Sequence, residues 1–282
     1  MRRFETLVVE PQGAMARITL NRPQRRNALD GVMVEELRQA FAIVQEEPAL
    51  RGIVLAAAGA SFCAGADLHW MQTESPVSEA RARDDAQQLT RMLHAVDECP
   101  CPIIGRIQGP AFGGGLGLVA ACDVVVAADD ATFGLSETRL GLVPAVIAPF
   151  LLRKSGPSFL RRYGLTAERF DASTAQRFLL VHDIVPQHRL DDRIAELTGA
   201  LIQLGPQAVR DSKVLFRRMW SLSEHDRWPL GVEANARARR GAEAVEGLLA
   251  FTDKRLPSWA LVPDRQPEEE ATSLNHDSLR HP

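Results

Sequence analysis

The chain has 282 residues, enough for one large α/β domain or about two smaller ones. Its composition, 45% hydrophobic and 24% charged with 20 Gly and 17 Pro, excludes a collagenous, coiled-coil or wholly disordered chain. Lys and Arg number 33 against 36 Asp and Glu, so no global basic field favours a polyanion, and no apolar run reaches the roughly 18–20 residues that cross a bilayer.

The opening MRRFETLVVEPQG meets Glu5 and Glu10 where a secretory signal needs an uninterrupted apolar stretch. Four Cys are too few for a disulfide scaffold in so long a chain. The expectation is a cytoplasmic protein with neither a nucleic-acid nor a membrane partner. In chain order, Leu7–Glu10 and Ala16–Leu20 flank Pro11-Gln12-Gly13 and predict a β-hairpin. Asp30 is placed to cap a helix in which Val34, Leu37, Phe41 and Val44 recur at helical spacing. Residues 51–57 predict a buried strand, 67–71 a short helix, 73–78 a mobile loop and 79–97 a long polar helix. Residues 102–108 and 123–128 predict further buried strands around a small-residue helix that Gly113-Gly114-Gly115 opens. Strand–helix–strand alternation implies parallel pairing and right-handed crossovers.

From Leu190 the pattern is helical throughout. The expected organisation is an α/β core over 1–189, a helical segment over 190–256 and a flexible tail over 257–282 that holds Glu268-Glu269-Glu270.

Two turns of small residues follow predicted strands: Cys63-Ala64-Gly65-Ala66-Asp67 and Gly113-Gly114-Gly115. Such turns leave backbone N–H groups unpaired, and a helix N-terminus adds positive dipole character. Two N–H groups converging on one point would make an oxyanion hole; close packing of small residues is the alternative. The glycine run is neither a dinucleotide fingerprint nor a P-loop. The histidines show no metal-ligand spacing, and Cys99-Pro100-Cys101 has no second pair for zinc. Cys63 has no evident neighbouring base and reads as a small packed thiol.

The segment from Ser61 to Leu68, SFCAGADL, resembles the first signature of the enoyl-CoA hydratase/isomerase (crotonase) family. Gln108 to Leu118, running on to Asp123, resembles the second, and Phe133 to Pro144 the third. Asn21-Arg22-Pro23 with Asn27-Ala28-Leu29 adds a fourth, and together they cover about residues 5–255 in family order. Asp67–Gln72, Ala128–Ala131, Pro144–Pro149 and Tyr163–Glu168 resemble a narrower group, the methylglutaconyl-CoA, geranylglutaconyl-CoA and isohexenylglutaconyl-CoA hydratases of leucine and acyclic terpene catabolism.

The resemblance implies an α/β fold of the crotonase ββα-superhelix type with a C-terminal helical trimerisation segment, assembled as a homotrimer or a dimer of trimers. It implies that the N–H groups of Ala66 and Gly114 form the oxyanion hole and that Glu137 is the catalytic acid/base. It places the coenzyme A of an acyl-CoA thioester near Ala28, Ala64, Asp67 and Leu68, with Arg25 and Arg26 as phosphate partners. Phe251 and Lys254 would close that site from a neighbouring subunit. No tightly bound cofactor and no metal are implied, coenzyme A entering only as part of the substrate. Trp70 and Met71 are candidates either for lining an acyl pocket or for core packing.

One position departs from the two-glutamate hydratases, which carry a second glutamate where this chain has Gly117. Its missing side chain would leave room for a branched or carboxylated acyl group. A single carboxylate fits a hydratase working on Glu137 alone or a double-bond isomerase. From another class, a non-catalytic acyl-CoA- or RNA-binding protein could keep the fold, although the net charge speaks against RNA.

Overall fold

Six strands form the main sheet of the computed structural model, which describes residues 3–72 and 77–261. The chain begins with β1 (Leu7–Gln12) and β2 (Met15–Leu20), then α1 (Gly31–Val44), β3 (Gly52–Ala57), α2 (Leu68–Met71), α3 (Glu79–Asp97) and β4 (Ile103–Ile107). It continues through β5 (Ala111–Phe112), α4 (Gly114–Ala121), β6 (Val124–Ala128) and β7 (Thr132–Gly134). After a 3₁₀ turn over Glu137–Leu140 come α5 (Ala148–Thr166), β8 (Arg169–Asp171), α6 (Ala172–Arg177) and β9 (Asp183–Val185). Four helices follow: α7 (Leu190–Leu201), α8 (Pro206–Trp220), α9 (Glu224–Arg239) and α10 (Ala242–Thr252).

The main sheet runs β1-β2-β3-β4-β6-β9, antiparallel in the first pair and parallel thereafter, and β5-β7-β8 make a second, small sheet. The hairpin differs from the expected loop over 11–13. Pairing runs on to Gln12↔Met15, so Gly13 and Ala14 make the turn, with Gly13 at φ +60°. Pro11 is tolerated because β1 is an edge strand, where a missing N–H costs little.

The apolar runs read as buried strands have core on both faces. Ile53 and Leu55 of β3, Ile103 and Ile107 of β4 and Val125 of β6 point into the larger core. Alternate residues Val54, Ala56, Ile104 and Val126 point into a smaller one. Period-two alternation is invisible in such a sequence because neither face meets water. Leu190 and Ile194 of α7 close the smaller core. The expected boundary at 190 therefore does not separate the helical segment from the core, because α7 is itself a layer over the sheet.

Polar anchors fix α8 to the same body: Arg210 Nη2 donates to the Leu50 carbonyl at 2.8 Å, and Lys213 Nζ to Asp123 Oδ2 at 2.6 Å. The expected tail is corrected at its start. Ser258 N–H donates to Glu246 Oε1 at 2.7 Å, and Gln203 Nε2 to the Leu261 carbonyl at 2.6 Å, so residues 257–261 are docked. Residues 262–282 lie outside the described residues, as do 73–76 of the expected mobile loop; Ser78 caps α3, its side chain accepting from Arg81 N–H at 3.3 Å. Among the described residues no helix is long and apolar enough to cross a membrane.

Helix α4 is buried from Gly115 to Ala121 and packs between α3 and α5. The space beside Gly117 is not open, which corrects the expectation that it admits an acyl group: a Cβ there would lie 2.6 Å from Ile147 Cγ2 and 3.3 Å from Leu93 Cδ1. Gly117→Ala is therefore expected to destabilise the fold by about 1–3 kcal/mol through overpacking. Combined with Ile147→Ala it should cost clearly less than the sum of the two single changes in chemical denaturation, because the second change removes the clash.

Candidate active site

The two glycine-containing turns lie against each other. Phe62 N–H and Cys63 N–H donate to the Pro110 carbonyl at 3.0 and 3.2 Å, and Phe112 N–H donates to the Cys63 carbonyl at 2.9 Å. The approach tolerates no side chains: a Cβ on Gly65 would lie 2.9 Å from the Phe112 carbonyl oxygen, and one on Gly115 2.5 Å from that of Cys63. Below them, Gln108 Nε2 donates to the carbonyls of Ala57 and Gly59 at 3.0 Å each. The Cys63 thiol is fully buried, and burial pushes it up to about 12, so it stays protonated and serves as packing.

A third segment sets the direction of the first turn. Leu29 N–H donates to the Gly65 carbonyl and Asp67 N–H to the Leu29 carbonyl, both at 2.8 Å. This is a parallel bridge between Leu29 and Ala66, in which Ala66 turns its own N–H away from Leu29. A Cβ on Gly114 would sit 3.8 Å from that Ala66 nitrogen, and one on Gly65 3.5 Å from the Gly114 nitrogen. Among the described residues neither N–H meets an acceptor, whereas Gly113 N–H next door donates to the Gly134 carbonyl at 3.0 Å. Gly114 also opens α4, so helix dipole adds to its donor.

The carboxylate of Glu137 faces this pair of turns. A Cβ on Gly113, at φ +49°, would lie 3.2 Å from Glu137 Oε1, so glycine is needed for space as well as conformation. Oε2 is buried and accepts no hydrogen bond. Burial raises the Glu137 carboxyl above its ordinary value, opposed by the N–H groups of Glu137 and Ser136. The turn that carries it is fixed from both ends: Leu142 N–H donates to the Glu137 carbonyl at 3.0 Å, and Arg139 Nη2 to the Ala167 carbonyl at 2.9 Å.

The candidate coenzyme residues of the first two segments are neighbours. Ala64 N–H donates to the Arg26 carbonyl at 3.0 Å, which sets Arg25, Arg26 and Ala28 beside Ala64, Asp67 and Leu68. Arg25, Arg26 and Leu68 are exposed. The Asp67 carboxylate is engaged within the protein, capping α2 through His69 N–H at 3.0 Å and pairing with Arg22 at 3.4 Å. Trp70 lies over the start of α1, its Nε1 3.3 Å from where a Gly31 Cβ would stand, and Met71 is 36% exposed. Toward the other end of the chain, Lys254 follows α10, and among the described residues nothing covers Phe251, which is 86% exposed.

Arg22 and Asn27, both within the fourth motif, carry structural duties that no local pattern signals. Asn27 is fully buried; its Oδ1 accepts from Arg22 N–H at 2.8 Å and its Nδ2 donates to the carbonyls of Ala58 and Ser61 at 2.8 and 2.9 Å. It adopts φ +52°, which asparagine tolerates better than most residues. Arg22 pairs with Asp30 at 3.0 Å and donates to the Ala28 carbonyl at 2.7 Å. Together they tie the segment carrying Leu29 to both turns.

The family model for enoyl-CoA hydratase/isomerase matches residues 10–261. The chain belongs to the enoyl-CoA hydratase/isomerase family. It is 30% identical to a crotonyl-CoA hydratase of Syntrophomonas wolfei over 256 residues, covering 89% of this chain and 96% of that one. Among solved structures it is similar to Pseudomonas aeruginosa AtuE, with a TM-score of 0.87, 39% identity and coverage of 91% of this chain and 100% of that one. An enoyl-CoA hydratase from Shewanella pealeana gives a TM-score of 0.87 at 36% identity, covering 91% and 97%. The α/β crotonase fold with a helical C-terminal segment is thereby established.

The raised Glu137 carboxyl has a consequence for this family member's stability. A buried carboxyl with a raised value disfavours the folded state wherever it is ionised, above its unfolded value, and costs nothing once both states are protonated. Glu137→Gln should accordingly melt no lower than wild type at pH 7. Any advantage should disappear as the pH falls below the ordinary carboxylate range, as thermal melts across pH would show.

Proposed function

We propose that the protein hydrates a branched α,β-unsaturated acyl-CoA of the 3-methylglutaconyl or isohexenylglutaconyl type. The observation that carries this reading is the placement of one buried, unpartnered carboxylate oxygen beside two backbone N–H groups that no acceptor among the described residues satisfies. The thioester oxygen sits between the N–H groups of Ala66 and Gly114 and gains most from them as it becomes an enolate. Ionised Glu137 takes a proton from water as it attacks the β-carbon and then delivers a proton to the α-carbon. Burial suits it to both steps, since a raised value brings its two protonation states closer in energy near neutral pH.

Coenzyme A enters as part of the substrate, held between the 25–29 and 64–68 segments, with Arg25 and Arg26 toward its phosphates. The exposed Phe251 and the neighbouring Lys254 support a homotrimer, or a dimer of trimers, in which α10 completes the site of the next subunit. The branched acyl group rests on the sequence phrases at 67–72, 128–131, 144–149 and 163–168, with Trp70 and Met71 toward the acyl chain. With Gly117 packed on Ile147, the room for that branch has to come from elsewhere in the pocket.

Incubation with a panel of enoyl-CoA thioesters, read by mass, tests the assignment. Gain of one water on methylglutaconyl- or isohexenylglutaconyl-CoA, exceeding that on crotonyl-CoA, is the expected result; a shifted double bond without water uptake would make the protein an isomerase. Glu137→Gln should lower kcat by about 10²–10⁴-fold with CoA-ester affinity changed only a few-fold. The acid limb of kcat/KM should fall at a higher pH than an ordinary glutamate would give.

Gly114→Pro should abolish turnover because it deletes a donor, whereas Ala66→Ser, which keeps its N–H, should be milder. Circular dichroism of both variants separates loss of the donor from loss of the fold.

A further inference from the structure

Hydration needs its water aimed as well as activated. A water bonded only to the Glu137 carboxylate can rotate about that single bond, so its oxygen faces the β-carbon in only a fraction of orientations. A second hydrogen bond would fix it.

Gly117 cannot supply that contact. It has no side chain, and Ile147 and Leu93 close the space beside it. No charged side chain among the described residues shares in setting the Glu137 carboxyl either: burial acts on it, opposed by the N–H groups of Glu137 and Ser136.

The residue next to Glu137 is better placed. Ser136 leaves β7 behind the buried Leu135 and is itself half-buried. It stands in the N-cap position of the 3₁₀ turn, where a serine hydroxyl ordinarily accepts from an N–H two or three residues on. Here it makes no cap bond. Its backbone is helical, at φ −94° and ψ −5°, in place of the extended conformation that directs a capping hydroxyl onto its own turn. The Ser136 carbonyl is engaged, accepting from Arg139 N–H at 3.1 Å, but among the described residues the hydroxyl takes up no hydrogen bond.

That hydroxyl lies at the glycine turn instead. Ser136 Oγ is 3.7 Å from the place a Gly113 Cβ would take, and Glu137 Oε1 is 3.2 Å from the same place. Gly114, whose N–H meets no acceptor among the described residues, is the next residue along. A hydroxyl, a carboxylate and a free backbone donor thus surround one glycine that leaves the space between them unfilled.

On the hydratase reading, we infer that Ser136 is a further catalytic residue, its Oγ accepting a hydrogen bond from the attacking water whose other hydrogen faces the Glu137 carboxylate. As the water oxygen bonds to the β-carbon, the hydrogen facing Glu137 passes to the carboxylate and from there to the α-carbon. The hydrogen facing Ser136 stays on the new hydroxyl group. Ser136 neither gains nor loses a proton, so it needs no base of its own.

Steady-state hydration kinetics of the full-length protein, with 3-methylglutaconyl-CoA and crotonyl-CoA as substrates, tests the role. Ser136→Ala should lower kcat about tenfold and change KM by no more than about twofold, as loss of one hydrogen bond to the reacting water predicts. The acid limb of kcat/KM should stay at the wild-type pH, because alanine keeps the Ser136 N–H beside the Glu137 carboxylate. A serine that merely supported the turn would move that limb together with the rate. Should Ser136→Ala fail to fold, Ser136→Cys, with a thiol as the weaker acceptor, should show the same split.

An unchanged kcat in the folded variant overturns the proposal, as does a loss of rate accompanied by a shifted acid limb. Absence of water uptake by the wild type on every enoyl-CoA thioester is a separate result: it removes the hydratase assignment, and this role of Ser136 with it.

Discussion

The direction of one backbone N–H governs the rest of the site. Ala66 can offer its donor only because the bonds on either side of it, Gly65 carbonyl to Leu29 N–H and Leu29 carbonyl to Asp67 N–H, commit the neighbouring groups to a parallel bridge. That bridge in turn needs the 21–30 segment held in place, which falls to buried Asn27 and to Arg22 with its two carboxylate partners. A donor fixed in this way reorganises little as charge develops on its acceptor.

Close backbone approach is the second constraint, and it explains the glycines better than flexibility does. Gly65 and Gly115 are required because carbonyl oxygens stand where their side chains would be; Gly113 is required because Glu137 does. Gly117, three residues on from Gly114, has a different reason, since it accommodates Ile147 within the core. A run of small residues thus divides into positions that shape the site and one that shapes the packing behind it.

Helix α4 links the two charged regions of the molecule. Its N-terminus meets the Glu137 side, where one carboxylate oxygen is buried without a hydrogen bond; its C-terminal end meets Lys154, whose ammonium donates to the Cys122 carbonyl. Burial is unfavourable to both charges, raising the carboxyl and pulling the ammonium down to about 8. On α8, Lys213 pairs with Asp123 and Arg217 with Glu98, and both hold the helix to the core.

The sequence by itself determined the alternation of strands and helices and the capping of α1 by Asp30, because periodicity and caps are local properties. The glycine turns and Glu137 were legible as well, since their spacing matches that of the family. The extent of the first hairpin and the docking of residues 257–261 were not, because an edge strand tolerates Pro11 and partners such as Gln203 lie far away in sequence. Tertiary structure alone decided that α7 closes a second core. Strands buried on both faces show no alternation from which that core could be inferred. It also decided the occupancy of the space beside Gly117 and the placement of Lys154 against the Cys122 carbonyl. Both depend on which side chains the fold brings within a few ångströms, a relation that no local pattern records.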